Sequence, residues 1–400
     1  IPLPAMVQPL LVWAAPAVPT GLLLLFLNRR VRAIGPLLLA FLVPALAGAY
    51  AAFALVTTEA GMRTIAAAAT TLGIPAMVFF CLGQIAGFAL FVVPGLALAR
   101  WVRDLYLRKR VSDQSLILDS VWFMAALVLC SSLAVEQPHW GWLGLAAFAC
   151  YRLTVSIGLH PLQEAALARP PARLLLLRVF GNRARSERTL DLLGSKWRYA
   201  GPIQLIAGTD VASSGIEPDE FLDFVSGRLA THFIHNPTEM TPKLQAIDDA
   251  PDPDGRFRIN ELFCASAAWQ ATVRELMVRS DLVAMDLRSF SPANHGCIFE
   301  LGALVDAVRL DRICFVVDDS TDSVFLRDVL EQRWRAMPGS SPNACLSRAE
   351  VLMLSTGGDE VATAGALMRI GDRILAVQKH LRREDAAGGD IVAAASGSST

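Results

Sequence analysis

The chain has 400 residues, of which 54% are hydrophobic and only 18% are charged, and its formal net charge is −1. Soluble domains usually carry about 25% charged residues, so the composition excludes an ordinary soluble enzyme. The balanced charge also argues against nucleic acid as a partner. The apolar excess lies in residues 1–160, so we predict a membrane domain there. We predict a linker over 161–172, a soluble α/β domain over 173–384 and a disordered tail over 385–400.

Five apolar runs in the membrane domain are long enough to cross a bilayer as helices, which takes about 20 residues. They cover residues 5–27, 34–57, 74–99, 116–134 and 142–159. The third run could begin at Ile65, and we interpret its first part as a surface segment that precedes a single span.

The basic residues of the loops predict the orientation of these spans. Lys and Arg residues follow the first span and lie between the third and the fourth spans. The loops on the opposite side of the membrane contain one basic residue, Arg63. The positive-inside rule therefore places the N-terminus outside and the soluble domain in the cytoplasm of a multi-pass inner-membrane protein.

Two charged residues fall inside the predicted spans, Asp119 in the fourth and Arg152 in the fifth. Intramembrane charges usually pair with each other or line a path for a substrate. The spans are therefore an anchor or an oligomerisation platform, with the lipid bilayer and further copies of the chain as partners, or they form a pore or transporter.

The soluble domain alternates short, nearly continuous apolar runs with helical ones. The apolar runs are typical of strands covered on both faces, and the alternation predicts a parallel sheet with right-handed crossovers. Strands are predicted at 174–180, 203–208, 282–287, 313–318 and 351–356. Helices are predicted at 186–199, 217–232, 261–279, 297–309, 322–336 and 359–382, with an irregular insertion at 235–258. The overall prediction is an α-helical transmembrane bundle followed by a flavodoxin-like, doubly wound, five-stranded parallel sheet.

Polar residues follow four of the predicted strands, at the edge where doubly wound sheets bind their ligands. They are Arg183 and Arg185 after the first strand, Asp210 after the second, Asp286 and Arg288 after the third, and Asp318 after the fourth. A basic loop facing several carboxylates suits a phosphate-bearing small molecule such as a nucleotide. Alternatively, the arginines contact solvent or anionic lipid, and Asp210 and Asp318 cap helices or close turns.

Several common catalytic motifs are missing. The sequence has no Walker A, GxGxxG, GxSxG or HExxH pattern, which argues against P-loop NTPases, dinucleotide oxidoreductases, α/β-hydrolases and zincins. His232 and His235 have i,i+3 spacing, but no third ligand accompanies them, so we predict no metal site. No bound cofactor is expected either.

The stretch "NHGCIFELGAL" (294–304) places one carboxyl group, that of Glu300, in an otherwise uncharged run after the third predicted strand. In a helix over 297–309, Glu300 shares a face with Cys297 and Leu304. Burial of that face would raise the pKa of Glu300 toward a value useful in catalysis, whereas a place in the first helical turn would lower it. Glu300 is therefore a candidate catalytic residue, a ligand contact, or an N3 residue in a capping arrangement.

The segment "SDLVAMDLRSFSPANHGCIFELGALVDAVRLDRICFVVDD" (280–319) resembles a recurring segment of TIR domains and of nucleoside 2-deoxyribosyltransferases. Both families have a strand ending near Asp, a variable loop, a helix opening with Glu-Leu or Glu-Leu-Gly, and a further strand. The glutamate of that helix is their catalytic acid at an N-glycosidic bond. The resemblance implies that role for Glu300 and a ribose contact for Asp286 or Arg288. This chain has Cys297 where TIR domains have a serine or an aspartate.

The resemblance implies a membrane-anchored, TIR-like domain that cleaves the N-glycosidic bond of NAD or a related nucleotide in bacterial defence or signalling. NAD would then be a substrate and not a cofactor. The landmarks "WRY-GP", "DPDGR" and "DLR-F" also resemble those of a bacterial membrane-protein type. Because many TIR domains are scaffolds, the alternative is a non-catalytic, nucleotide-sensing or self-associating module coupled to the membrane helices.

Overall fold

The computed structural model describes residues 34–168, 170–178, 194–207, 233–347 and 350–355, with a few isolated positions between 361 and 369. The first predicted span, the loop with Arg183 and Arg185, Asp210, the predicted helix over 217–232 and the predicted tail lie outside these residues. The described residues divide into two compact units, one ending at His160 and the other beginning at Pro161.

Five α-helices account for most of the first unit within the described residues. They are α1 (Ile34–Val56), α2 (Glu59–Leu72), α3 (Ala76–Leu107), α4 (Asp113–Glu136) and α5 (Trp142–Leu167). Helices α1, α3, α4 and α5 each contain a stretch long and apolar enough to cross a membrane. They overlap the second to fifth predicted spans. The prediction that these four segments are apolar helices of membrane length is therefore confirmed.

Helix α2 is separate from the span that follows it. The Thr58 side chain caps its first turn by accepting a hydrogen bond from the Gly61 backbone N–H. Gly73 ends it with a φ of 66°, a left-handed conformation that glycine adopts without steric cost, and Pro75 precedes α3. The predicted surface segment before the span is therefore a helix of its own, and none of its residues is buried.

Two close contacts shape the first unit. A Cβ atom added to Gly48 of α1 would lie 2.4 Å from the backbone oxygen of Gly87 of α3, so the two backbones meet without side chains between them. The predicted intramembrane charges contact each other, because Arg152 Nη1 lies 2.8 Å from Asp119 Oδ2. The Tyr151 hydroxyl also donates to Asp119, at 3.2 Å.

Seven strands of the second unit form one all-parallel sheet within the described residues. They are β1 (Leu174–Arg178), β2 (Ile203–Ala207), β3 (Phe233–Ile234), β4 (Ile259–Cys264), β5 (Leu282–Asp286), β6 (Ile313–Val317) and β7 (Leu352–Ser355). Their order across the sheet is β3-β4-β2-β1-β5-β6-β7. The predicted α/β class is confirmed, and all five predicted strands are present.

The predicted number of strands is wrong, because β3 and β4 extend the sheet beyond β2. Residues 261–279 are not one helix: their first part belongs to β4, and α7 (Trp269–Arg279) begins later. Strand β4 forms because all of β2 pairs with it in register, from Ile203 opposite Ile259 onward, and these contacts outweigh the local helical pattern. The predicted irregular insertion contains a further helix, α6 (Pro237–Gln245).

Helices α8 (His295–Ala307) and α9 (Ser323–Arg335) follow β5 and β6. Successive strand side chains point to opposite faces of the sheet, and each face has its own buried cluster. One cluster joins strand residues to α7 and α8, and its members include Leu177, Val283, Met285, Leu276, Leu301 and Leu304. The other lies on the opposite face and includes Leu174, Leu176, Ala284 and Trp197.

Candidate functional site

The strand order of the sheet reverses direction between β1 and β5. The chain passes from β1 to β2 on one side of β1, whereas β5 pairs with β1 on its other side. The last residues of the two strands, Arg178 and Asp286, are partners in register. Ligands of doubly wound sheets bind at the carboxyl ends of the strands at such a reversal, so the carboxyl ends of β1 and β5 are the candidate ligand site.

Helix α8 begins at this edge and carries Glu300 in its second turn. It starts at His295, two residues before the predicted start, so Glu300 is not an N3 residue. Asn294, the N-cap residue, makes no side-chain capping hydrogen bond, and the first turn holds no acidic residue. The capping role considered for Glu300 from the sequence is therefore wrong.

The carboxyl group of Glu300 is buried and incompletely hydrogen-bonded. The residue is 5% exposed. Its Oε2 atom is buried and, in the part of the chain that the structure describes, has no hydrogen-bond partner. Burial raises the pKa of Glu300 to about 8 because it penalises the charged form. Glu300 is therefore mostly protonated at neutral pH, with a pKa suited to proton transfer near pH 7.

Cys297 lies one turn before Glu300 and faces the same edge. Its thiol contacts the backbone oxygen of Arg178, with an Sγ–O distance of 3.9 Å. Burial first, and then the nearby carboxyl groups of Glu300 and Asp286, raise the pKa of the Cys297 thiol to about 12. The thiol is therefore a neutral hydrogen-bond donor here and not a nucleophile.

Asp286 and Arg288 bind each other at the end of β5. Arg288 Nε donates to Asp286 Oδ1 at 2.8 Å, and Arg288 Nη2 donates to Oδ2 at 2.5 Å. The two residues are 6% and 3% exposed, so the pair is buried. Ser289 follows with a φ of 64°, a left-handed conformation that few non-glycine residues adopt. Both oxygens of Asp286 are thus engaged by Arg288 at a sharp bend after the strand.

The loops after β5 and β6 are joined by hydrogen bonds. The Ser289 backbone N–H donates to Ser320 Oγ at 2.9 Å, and Thr321 Oγ1 donates to the Leu287 backbone oxygen at 3.0 Å. Asp318 accepts a hydrogen bond from the Ser320 backbone N–H at 2.9 Å. Asp318 therefore closes a turn in the structure. Turn closure is one of the roles that the sequence predicts for Asp318.

No known family model matches this chain, and no curated protein matches it. Within the described ranges, no group of three or more His, Cys, Asp or Glu side chains is arranged to hold a metal ion.

The structure pairs two of the residues predicted for the site, Asp286 and Arg288, and the carboxyl groups of Asp286 and Glu300 both act on the Cys297 thiol. Sequence reasoning missed Arg178 and the Ser289–Ser320 contact. Arg178 was interpreted as a residue inside the first strand, but the described strand ends there. The clustered serines in "SFSP" and "DDST", directly after two predicted strands, were a signal for turns that bond to each other.

Proposed function

We propose that the α/β unit binds a nucleotide at the carboxyl ends of β1 and β5, and that Glu300 acts on the N-glycosidic bond of NAD or a related nucleotide. The observation that carries this proposal is the Glu300 carboxyl group itself. It is buried on the helix that follows β5, Oε2 has no hydrogen-bond partner among the described residues, and its pKa is about 8. Perturbed carboxyl groups at such positions are typical of catalytic sites.

A positively charged substrate would change the protonation of Glu300. The nicotinamide ring of NAD is a cation, and a cation beside the buried carboxyl favours its ionised form. The resulting carboxylate would stabilise the positive charge that develops at C1′ as the C1′–N bond breaks. The bonding electron pair goes to the nicotinamide nitrogen, which leaves as neutral nicotinamide, and water adds to C1′ and loses a proton.

The arrangement of the predicted strands supports the resemblance to TIR domains and deoxyribosyltransferases. The five predicted strands lie next to one another in the order β2-β1-β5-β6-β7. Numbered as predicted, that order is 2-1-3-4-5, which is the order of a flavodoxin-like sheet. Strands β3 and β4 then form an addition at the β2 edge.

We propose that the apolar helices anchor this unit in a membrane, with the unit on the cytoplasmic side. The basic residues Arg108, Lys109 and Arg110 between α3 and α4 support that orientation. The ion pair between Asp119 and Arg152 favours an anchor over a pore or transporter, because each charge is neutralised by the other.

Incubation of the purified full-length chain with NAD, in lipid nanodiscs and at high protein density, tests the activity. We expect release of nicotinamide, measured by chromatography, and a loss of about 100-fold or more for Glu300→Gln. Glu331→Gln on the exposed surface of α9 is the matched control and should keep full activity. Absence of cleavage by the unaltered chain, or equal cleavage by Glu300→Gln, contradicts the proposal.

The buried Asp286–Arg288 pair favours a second candidate, a non-catalytic nucleotide sensor or self-associating module. These two side chains bind each other and so are not presented to a substrate. A nucleotide that raises the Tm of the full-length chain without being cleaved would support the sensor. Concentration-dependent association of copies without nucleotide would support the self-associating module.

A further inference from the structure

Arg178 is placed where a ligand of the switch-point site would meet it. It ends β1, its register partner on β5 is Asp286, and its backbone oxygen contacts the thiol of Cys297 on the helix that carries Glu300. In parallel strands, register partners project from the same face of the sheet, so Arg178 and Asp286 share the face of Leu174, Leu176 and Ala284, opposite the face that α8 covers. Arg178 is only partly buried, so its side chain remains accessible to a ligand.

Among the described residues, none neutralises the charge of Arg178. In the part of the chain that the structure describes, its guanidinium group makes no ion pair and no hydrogen bond. Asp286, its register partner, already binds Arg288 through both carboxylate oxygens. Glu300 is mostly protonated at neutral pH. Asp286 and Arg288 cancel each other, so the net positive charge of the residues that end β1 and follow β5 belongs to Arg178.

A guanidinium group with a partly open approach is suited to a phosphate, because its planar N–H groups match two phosphate oxygens at once. We propose that Arg178 binds a phosphate group of the ligand at the carboxyl end of β1. This inference deepens the proposed function and rests on it for the identity of the ligand. It makes Arg178 a specificity residue that separates nucleotides from nucleosides.

The test compares ADP-ribose with adenosine, which share adenine and a ribose; ADP-ribose adds a diphosphate and a second ribose, and the Arg178 variants and the salt dependence isolate the contribution of the phosphates. Neither contains the nicotinamide bond, so binding is measured independently of cleavage, by calorimetry on the full-length chain in nanodiscs of uncharged lipid. We expect Arg178→Gln to weaken ADP-ribose binding by about 10-fold or more and to leave adenosine binding unchanged. Arg178→Lys, which keeps the charge but loses the planar fork, should lie between the two. Arg312→Gln, at a partly buried arginine just before β6, is the matched control and should bind both ligands normally.

A measurement on the unaltered chain keeps the inference testable if Arg178→Gln does not fold. Salt screens charge, so raising the NaCl concentration should weaken ADP-ribose binding and spare adenosine binding. The inference is overturned if ADP-ribose binds no more tightly than adenosine, if salt affects both equally, or if folded Arg178→Gln keeps its affinity for ADP-ribose. Arg178-dependent binding of ADP-ribose without NAD cleavage would reject only the proposed activity. If NAD cleavage requires Glu300 but Arg178→Gln leaves ADP-ribose binding unchanged, only the phosphate-binding role of Arg178 is rejected.

Discussion

The thiol of Cys297 donates a hydrogen bond to the backbone oxygen of Arg178, with an Sγ–O distance of 3.9 Å across 119 positions of the sequence. The contact joins the first turn of α8 to the end of β1. Glu300 lies one turn further along α8, on the helix face that it shares with Cys297. Cys297 therefore positions the candidate site through its neutral form and does not react in it.

Cys297 should resist alkylation in the folded protein. Its pKa is about 12, so the reactive thiolate is scarce at pH 8, and the side chain is also buried. We expect iodoacetamide to modify the exposed Cys345 about 100-fold faster or more, as measured by mass spectrometry of the peptides. Cys314, another buried thiol with a pKa of about 12, should be as slow as Cys297. Rapid modification of Cys297 in the folded chain would contradict the assigned role.

The protonated state of Glu300 predicts a pH dependence of stability. The folded state holds the proton up to a pKa of about 8, whereas the unfolded chain releases it near the ordinary value of 4.5. Between these two values the folded state binds more protons, so its stability falls as the pH rises, by up to about 1.4 kcal/mol per pH unit. Glu300→Gln cannot ionise and lacks this dependence.

Thermal unfolding of the full-length chain in detergent, from pH 5 to pH 8.5, measures this effect. The Tm of Glu300→Gln should rise relative to that of the unaltered chain as the pH increases, and the difference should level off above the folded pKa of about 8. Glu331→Gln, at an exposed carboxylate, should run parallel to the unaltered chain. A constant difference between Glu300→Gln and the unaltered chain would show that Glu300 is already ionised.

The strands that could be predicted from the sequence are those covered on both faces. Strands β1, β5 and β6 are continuous apolar runs because both of their faces are buried. Strand β4 begins with Ile259, Asn260 and Glu261, which are only partly buried, so its pattern is indistinct and it was merged with the helix that follows. Strand β3 has two residues, too few for any periodicity.

The candidate site was predictable in its position but not in its contacts. The place of Glu300 follows from the order of strand, loop and helix, which is a local pattern. The pairing of Asp286 with Arg288 depends on the bend at Ser289, whose φ of 64° no local pattern indicates. The bond from Cys297 to Arg178 depends on how α8 packs against β1, which only the tertiary structure determines.

The buried Asp286–Arg288 pair should contribute strongly to stability when only one partner is removed. Arg288→Met leaves the Asp286 carboxylate buried without its cation and should cost about 3–5 kcal/mol in the free energy of unfolding. Combining it with Asp286→Asn should recover part of that loss, so the two effects will not add. Denaturant unfolding of the four proteins in a double-mutant cycle measures the coupling.

The exposed pair of Arg309 and Asp311 provides the control for this cycle. Its side chains are 59% and 58% exposed, so Arg309→Met should cost less than about 1 kcal/mol. Additive effects of the two substitutions at Asp286 and Arg288 would mean that the pair does not form in solution. That result would leave both side chains available to a ligand, as the resemblance to TIR domains and deoxyribosyltransferases implies.

In the first unit, the crossing of α1 and α3 should depend on Gly48. A Cβ at this position would lie 2.4 Å from the backbone oxygen of Gly87, a distance that requires the helices to move apart. Gly48→Val should therefore lower the thermal stability of the full-length chain in detergent, by about 1–3 kcal/mol of packing energy. Gly83→Val is the matched control on α3, because a Cβ there meets only Val56 Cγ2, at 3.5 Å. Both substitutions change the helix propensity equally, so the difference between their Tm values isolates the close approach of the two backbones. Equal Tm values for the two variants would show that α1 and α3 do not cross at Gly48 and Gly87.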